Sequence, residues 1–218
     1  MEELIILPQR EFQVLAAAWG IGEIFGVCPR EDMSGLGRSD LLYIVHEMAQ
    51  KNILKFDGAR YEVQEPYRSV LCSIREAEQI LAVEDRDGYA SVFYFGRALV
   101  CLEESVQDED AVRIGIYDPG KCRSVLEEKG FLPQPCPEGN LAVLQTEDEA
   151  GEWLENVSAG GSVPYVFRYR IFDSLKSLQA EYDLVEGPFN DWIVHKSGEE
   201  LQISRYDGQR LYEKLVIK

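Results

Sequence analysis

The feature that most limits the fold is a series of short β-rich runs in the middle of the chain. These runs cover residues 79–83, 89–95, 98–102 and 112–117. They are rich in valine, isoleucine and aromatic residues, which favour strands. The first two runs are joined through Asp87-Gly88, a dipeptide typical of tight hairpin turns. The sequence therefore predicts a meander of antiparallel strands.

An amphipathic helix is expected before these strands, over residues 11–19. Its apolar side chains recur at i, i+3, i+4 and i+7, which places them on one helical face. They are Phe12, Leu15, Ala16 and Trp19. Gly20 follows directly, where a glycine commonly ends a helix.

Two more helices and a hairpin are predicted from the next segment. Ser39 is a suitable N-cap for a second helix that ends near residue 51. Asp57-Gly58 then joins two short apolar runs and predicts a hairpin. Pro66 is suited to opening a third helix. Helices followed by a small hairpin are typical of a winged-helix module.

The C-terminal half repeats the mixture of helix and strand. Helices are expected over residues 118–129 and 146–157, and strands over 165–171 and 178–184. Three further runs are separated by turn residues, and the last run, 211–217, is also expected to be a strand. Residues 79–94 and 200–216 each contain an Asp-Gly turn, which is a faint indication of duplication.

These elements predict an α+β fold. Winged-helix-like helices and a hairpin would pack on a large, mostly antiparallel sheet with flanking helices. The expected domains are residues 1–76, 77–132 and 138–218, separated at the last boundary by a proline-rich linker. Residues 77–218 form either one sheet domain or two.

Charge restricts the partners that the chain can bind. It has 39 acidic and 22 basic residues, giving a net charge of −17. A chain this acidic is not expected to bind nucleic acid phosphates or anionic lipid with its whole surface. Its second predicted helix carries Asp40 and Glu47 but only Lys51 as a base, so nucleic acid is not the expected partner there either.

The same sequence predicts a cytoplasmic protein. The acidic start of the chain does not fit a secretory signal. The uncharged apolar stretches are too short to span a bilayer. The five cysteines are odd in number and contain no Cys-x-x-Cys pair, so we expect reduced thiols.

Candidate catalytic chemistry is sparse. The two histidines, His46 and His195, have no second histidine or cysteine at metal-ligand spacing. A Cys-His nucleophile pair stays open, but no local pattern favours it. Arg168, Arg170 and Arg205 could bind an acidic ligand, although ion pairs are the more common explanation. We therefore expect no enzyme activity, no cofactor and no metal.

Two stretches resemble a known family. The first runs from Leu7 to Leu15 and continues to Trp19-Gly20, and the second runs from Met48 to Leu54 at the end of the second helix. In their order and in the meander and helix that follow, these elements are similar to the EspG family, cytosolic chaperones of type VII secretion. The resemblance covers residues 7–132.

The resemblance implies a central antiparallel sheet with helical bundles, built from two quasi-equivalent halves. It also implies binding without catalysis. Members of that family hold the exposed apolar tip of a secreted helical protein pair, so the expected partner is a helical client. The candidate contact residues on the sheet face are Tyr165, Phe167, Tyr169 and Trp192. Each of them is also suited to the core.

The alternative from the residues themselves is a winged-helix transcriptional regulator. In that hypothesis the C-terminal α+β part would sense a ligand. The sequence leaves the client and the oligomeric state open.

Overall fold

The computed structural model describes residues 3–22, 24–25, 35–88, 90–104, 110–133, 151–152, 165–186, 191–197 and 200–216. These residues form an α+β fold with a nine-stranded, mostly antiparallel sheet. The predicted fold class is therefore confirmed at this level. The winged-helix character and the quasi-equivalent halves stay predictions.

The described part of the chain contains eleven strands and five helices. The strands are β1 (Glu3–Pro8), β2 (Leu54–Phe56), β3 (Tyr61–Val63), β4 (Gln79–Asp85), β5 (Ala90–Phe95), β6 (Leu99–Glu104), β7 (Ala111–Tyr117), β8 (Phe167–Asp173), β9 (Leu178–Glu186), β10 (Asp191–Ser197) and β11 (Glu200–Arg205). The helices are α1 (Gln9–Ala18), α2 (Arg38–Gln50), α3 (Tyr67–Arg75), α4 (Cys122–Glu128) and α5 (Gly208–Leu215).

The large sheet has the order β1-β7-β6-β5-β4-β8-β9-β10-β11. Strands β2 and β3 form a separate antiparallel hairpin. The middle meander is present as predicted from the β-rich runs. Strand β1 was not predicted, and it lies at one edge of the sheet, where it pairs antiparallel with β7.

Helices α1 and α2 are confirmed, with one correction at a helix start. Trp19 closes α1, and Gly20 follows with a φ of +78°, a conformation that glycine adopts without strain. The N-cap of α2 is Gly37 and not Ser39, because the Asp40 carboxylate accepts a hydrogen bond from the Gly37 N–H at 2.9 Å. Ser39 therefore lies inside the first turn.

The predicted hairpin is confirmed between β2 and β3. The Asp57 Oδ1 atom accepts hydrogen bonds from the N–H groups of Ala59 and Arg60, each at 2.8 Å. These bonds hold the pKa of Asp57 below its ordinary value. Gly58 has a φ of +100° at the tip of the turn.

The chain forms two compact units. The first consists of Met1–Glu78 and Ser91–Pro119, and the second of Gln79–Ala90 and Gly120–Lys218. Each unit combines two separate stretches of the chain. The sequence-predicted domain boundaries stay predictions.

In the first unit, two helices pack on strands of the large sheet. Helix α1 contacts β1 and β7, and α3 contacts β6. Phe12 and Leu15 of α1 are buried, as are Val70 and Leu71 of α3. Next to α2, the Lys51 Nζ atom lies 2.5 Å from Oε1 of the buried Glu11. This ion pair connects α1 to the end of α2.

In the second unit, the end of the chain differs from the strand that the sequence predicts. Residues 211–215 belong to helix α5 and not to a strand. Asp207 caps this helix, because its side chain accepts hydrogen bonds from the N–H groups of Gln209 and Arg210. The segment 200–216 is therefore a strand followed by a helix, whereas 79–94 contains the β4–β5 hairpin. The predicted similarity between the two segments is wrong.

Some predictions fall outside the described residues. The helix expected over 146–157 is described only at residues 151 and 152, which are helical. The proline-rich linker after residue 133, together with Cys28 and Cys136, also lies outside the described part of the chain.

Candidate protein-binding groove

The first unit contains a groove of about 400 Å³ between helices α1 and α2 and the β2–β3 hairpin. Its apolar wall includes Val14 and Ala18 of α1, Val45 of α2 and Val63 of β3. We call this feature the α1–hairpin groove. Its walls come from segments that are far apart in the sequence, so only the folded chain assembles it.

Two exposed aromatic side chains of the hairpin lie at the groove. Tyr61 lines it and is 49 % exposed. The Tyr61 ring lies against Phe56 of the neighbouring strand, with ring centroids 5.2 Å apart. Phe56 is itself 56 % exposed. Large apolar side chains that cluster on a surface are typical of a binding site.

The rim of the groove carries charge of both signs. Arg60, Glu62 and Arg68 line it. The Arg60 guanidinium lies 3.3 Å from Glu62 and 3.7 Å from Asp57, and these exposed pairs stabilise the hairpin only weakly. Two bases and one acid at the rim contrast with the large excess of acid in the whole chain.

The aromatic residues predicted to bind a partner lie in the second unit and divide into two groups. Tyr169 and Trp192 are 0 % and 1 % exposed, so both belong to the core, which was the alternative interpretation. The Tyr169 hydroxyl donates to the Phe131 carbonyl at 2.6 Å. Burial raises the pKa of Tyr169.

Tyr165 and Phe167 are only partly buried. The Tyr165 hydroxyl donates to Glu84 at 2.7 Å, and that bond raises the pKa of Tyr165. Phe167 packs edge to face against Phe131, with centroids 5.5 Å apart. Both side chains thus have intramolecular contacts, and a role in partner binding stays a prediction for them.

Arg168 and Arg170 form ion pairs. Arg168 donates two hydrogen bonds to Asp183, at 2.7 and 3.0 Å, and these raise the pKa of the guanidinium. Arg170 binds Glu84 and also lies 3.5 Å from Glu181. The explanation by ion pairing is therefore confirmed for these two residues.

The two histidines lie in different surroundings. His46 is exposed on α2, with its Nε2 atom 2.8 Å from the Gln50 amide. His195 stacks on Tyr182, with ring centroids 4.6 Å apart, and its Nδ1 atom lies 2.9 Å from the Glu181 carbonyl oxygen. Neither contact forms a nucleophile pair.

Cys72, Cys101 and Cys122 carry thiols that are not joined in disulfide bonds. Burial raises the pKa of Cys122 to about 11, so this thiol is protonated at neutral pH. Within the described ranges, no group of three or more His, Cys, Asp or Glu side chains could hold a metal ion. No described helix is both long enough and apolar enough to span a bilayer.

Comparison with known proteins gives no assignment. No family model matches the chain, and no curated protein matches it. The resemblance to the EspG family therefore stays a prediction.

The α1–hairpin groove was missed by the sequence analysis. Phe56 and Tyr61 belong to the two short apolar runs that predicted the hairpin, and their exposure depends on how the hairpin packs.

Proposed function

We propose that this chain is a non-catalytic protein-binding protein whose α1–hairpin groove holds an apolar α-helix of a client. The observation that carries the proposal is the groove itself, with the half-exposed Tyr61 in its lining and the exposed Phe56 packed against the Tyr61 ring. The similarity to the EspG family supports a cytoplasmic chaperone for a secreted helical protein of a type VII-like system.

A helix suits this groove because its backbone groups are already hydrogen-bonded. Val14, Ala18 and Val45 offer a bound segment no hydrogen-bond partners from their side chains. An extended segment would leave backbone N–H and C=O groups unsatisfied against such a wall. An amphipathic helix can instead place apolar side chains spaced at i, i+3 and i+4 into the groove.

The charge at the rim favours particular clients. Arg60 and Arg68 flank the apolar wall, with Glu62 as the acidic neighbour. A client helix with acidic residues beside its apolar face would place opposite charges against these arginines. Such contacts mainly add specificity and speed of association.

The winged-helix regulator is the second candidate, favoured by the β2–β3 hairpin that follows α2. The surface of α2 does not support it. Its exposed residues include the apolar Leu42 and Tyr43, whereas phosphate contacts require Lys or Arg, and Arg38 is the one Lys or Arg within residues 38–50. Lys51 is already paired with the buried Glu11.

The proposal is tested with the full chain purified from its host under native conditions. Co-purifying proteins are identified by mass spectrometry, produced separately and titrated against the purified chain. We expect a small protein that is helical by circular dichroism. Tyr61→Ala should weaken its binding at least tenfold, because Tyr61 is an aromatic anchor at the groove.

Leu175→Ala is the matched control, since Leu175 is an exposed apolar residue in a different unit. It should leave the affinity unchanged. Equal affinities for the wild type and Tyr61→Ala would overturn the assignment of the groove. A salt-dependent shift of duplex DNA by the full chain would favour the regulator instead.

A further inference from the structure

Among the described residues, strand β1 has one strand neighbour. It ends the strand order of the large sheet and pairs with β7, and no other described strand pairs with its outer edge. Unpaired edge strands are sites at which another strand can add to a sheet. The backbone groups of β1 that point away from β7 are the ones available to such a strand.

The register with β7 determines which backbone groups of β1 point outward. The Gln9 N–H, one position beyond the Pro8–Ala111 pair, donates to the Asp110 carbonyl at 2.6 Å. Backbone groups alternate in direction along a strand, so Ile5 and Leu7 direct theirs toward β7. Leu4, Ile6 and Pro8 direct theirs outward. Pro8 has no N–H and fits this outward position.

The side chains of the outward-directed residues are also uncovered. Leu4 and Ile6 are 58 % and 60 % exposed, whereas Ile5 and Leu7 are 7 % and 2 % exposed. Opposite Leu4 on β7 stands Gly115, which lacks a side chain. A Cβ atom at Gly115 would lie 2.6 Å from the Tyr117 ring, so that ring occupies the space over the glycine. The exposed face of β1 is therefore apolar, and the exposed Arg113 of β7 stands opposite Ile6.

We propose that β1 pairs antiparallel with β1 of a second copy of this chain, about a twofold axis at Ile5. In this register Leu4 of each copy lies opposite Ile6 of the other. The outward N–H and C=O groups of both residues are then satisfied by four hydrogen bonds across the axis. Their four exposed side chains come together on one face of the joined sheet.

The strand is complementary to itself in this register. Glu3 is its single ionisable residue, and it lies opposite Leu7 of the second copy, so two like charges never face each other along the pair. Glu3 of each copy therefore lies near the point where β1 of the other copy continues into its helix α1. The second residue of that helix is the exposed Arg10. A register centred on Ile6 would put Pro8 opposite Leu4 and leave the Leu4 carbonyl without a donor.

The test is the molar mass of the full chain in solution, measured by sedimentation equilibrium across the micromolar range. We expect a monomer–dimer equilibrium. Ile6→Pro removes one outward N–H and no bond to β7, so the protein should fold and the dimer dissociation constant should rise at least tenfold. Leu4→Lys combined with Ile6→Lys should have the same effect through charge repulsion and lost apolar contact.

The control is Leu175→Lys combined with Leu178→Lys, which alters two exposed leucines in the second unit. It should leave the dissociation constant unchanged, and circular dichroism verifies the folding of every variant. A wild-type chain that stays monomeric overturns the proposal. A dimer that persists in folded Ile6→Pro overturns it as well. Because β1 does not line the α1–hairpin groove, neither result bears on the client.

Discussion

At the residue scale, the pair of Arg168 and the buried Asp183 is expected to contribute most to stability among the described ion pairs of the second unit. Asp183 is 4 % exposed, and two hydrogen bonds from one guanidinium satisfy its carboxylate. The Arg168 guanidinium also lies 4.2 Å from the centre of the Tyr165 ring. A buried carboxylate that loses its partner has neither water nor a cation to stabilise its charge.

Arg168→Ala should therefore lower the free energy of unfolding by about 3 kcal/mol, the cost typical of leaving one member of a buried pair alone. Urea denaturation at neutral pH measures this change. Arg170→Ala is the comparison, because its carboxylate partners Glu84 and Glu181 are more exposed, and it should cost about 1 kcal/mol or less. Equal losses in both variants would contradict the argument.

The burial of Tyr169 and Trp192 shows the limit of prediction for single residues. Alternation along a strand separates two faces but does not reveal whether both are covered. Residues 182–185 of β9 are buried in succession, as are 192–194 of β10. Trp192 on β10 is therefore in the core whichever face it occupies. Tyr169 is buried because it lies on the covered face of β8, along which burial alternates.

At the element scale, the Asp207 cap decides the structure of the chain end. The Asp207 Oδ1 atom accepts hydrogen bonds from the N–H groups of Gln209 and Arg210, at 2.9 and 3.1 Å. These two groups have no partner within the helix, because the first turn leaves its N–H groups free. The cap therefore stabilises α5, which is only two turns long.

Asp207→Ala should reduce the free energy of unfolding by about 1 kcal/mol, as is typical for a lost N-cap. Chemical denaturation monitored by circular dichroism measures the change. Asp207→Asn keeps an acceptor oxygen and should retain most of the stability. If the alanine variant is as stable as the wild type, the cap does not hold α5.

Local sequence signals predicted the elements that local contacts stabilise. The amphipathic faces of α1 and α2 and the Asp57-Gly58 turn all act within a few residues, and all three predictions are confirmed. Strand β1 was missed because its hydrogen bonds go to β7, about a hundred residues later. Helix α5 was missed because Asp207-Gly208 fits both a hairpin turn and a helix start.

The α1–hairpin groove could not be predicted for a related reason. The groove exists because α1, α2 and β3 do not pack fully against one another. Each element carries an apolar face that the sequence indicates. The sequence does not indicate how completely the neighbouring elements cover that face. A cavity depends on side-chain packing between elements, which local patterns do not specify.

At the scale of the whole molecule, the excess of acid should make folding sensitive to salt. A net charge of −17 implies repulsion between carboxylates in the compact state. Raising sodium chloride from low to physiological concentration shortens the screening length to about 8 Å. The temperature of unfolding should therefore rise.

Differential scanning calorimetry at fixed protein concentration measures this dependence. Potassium chloride at the same ionic strength is the control, because screening does not depend on the identity of the monovalent ion. A lower unfolding temperature in salt would mean that favourable ion pairs, including Arg168–Asp183, outweigh the repulsion.

The contact between Gly115 and Tyr117 ties two positions on one strand together. The phenol ring fills the place that a side chain at position 115 would need. A larger residue at 115 fits only where the ring turns away or position 117 carries something smaller. We therefore expect positions 115 and 117 to covary among related chains, so that a chain without glycine at 115 also lacks the aromatic ring at 117.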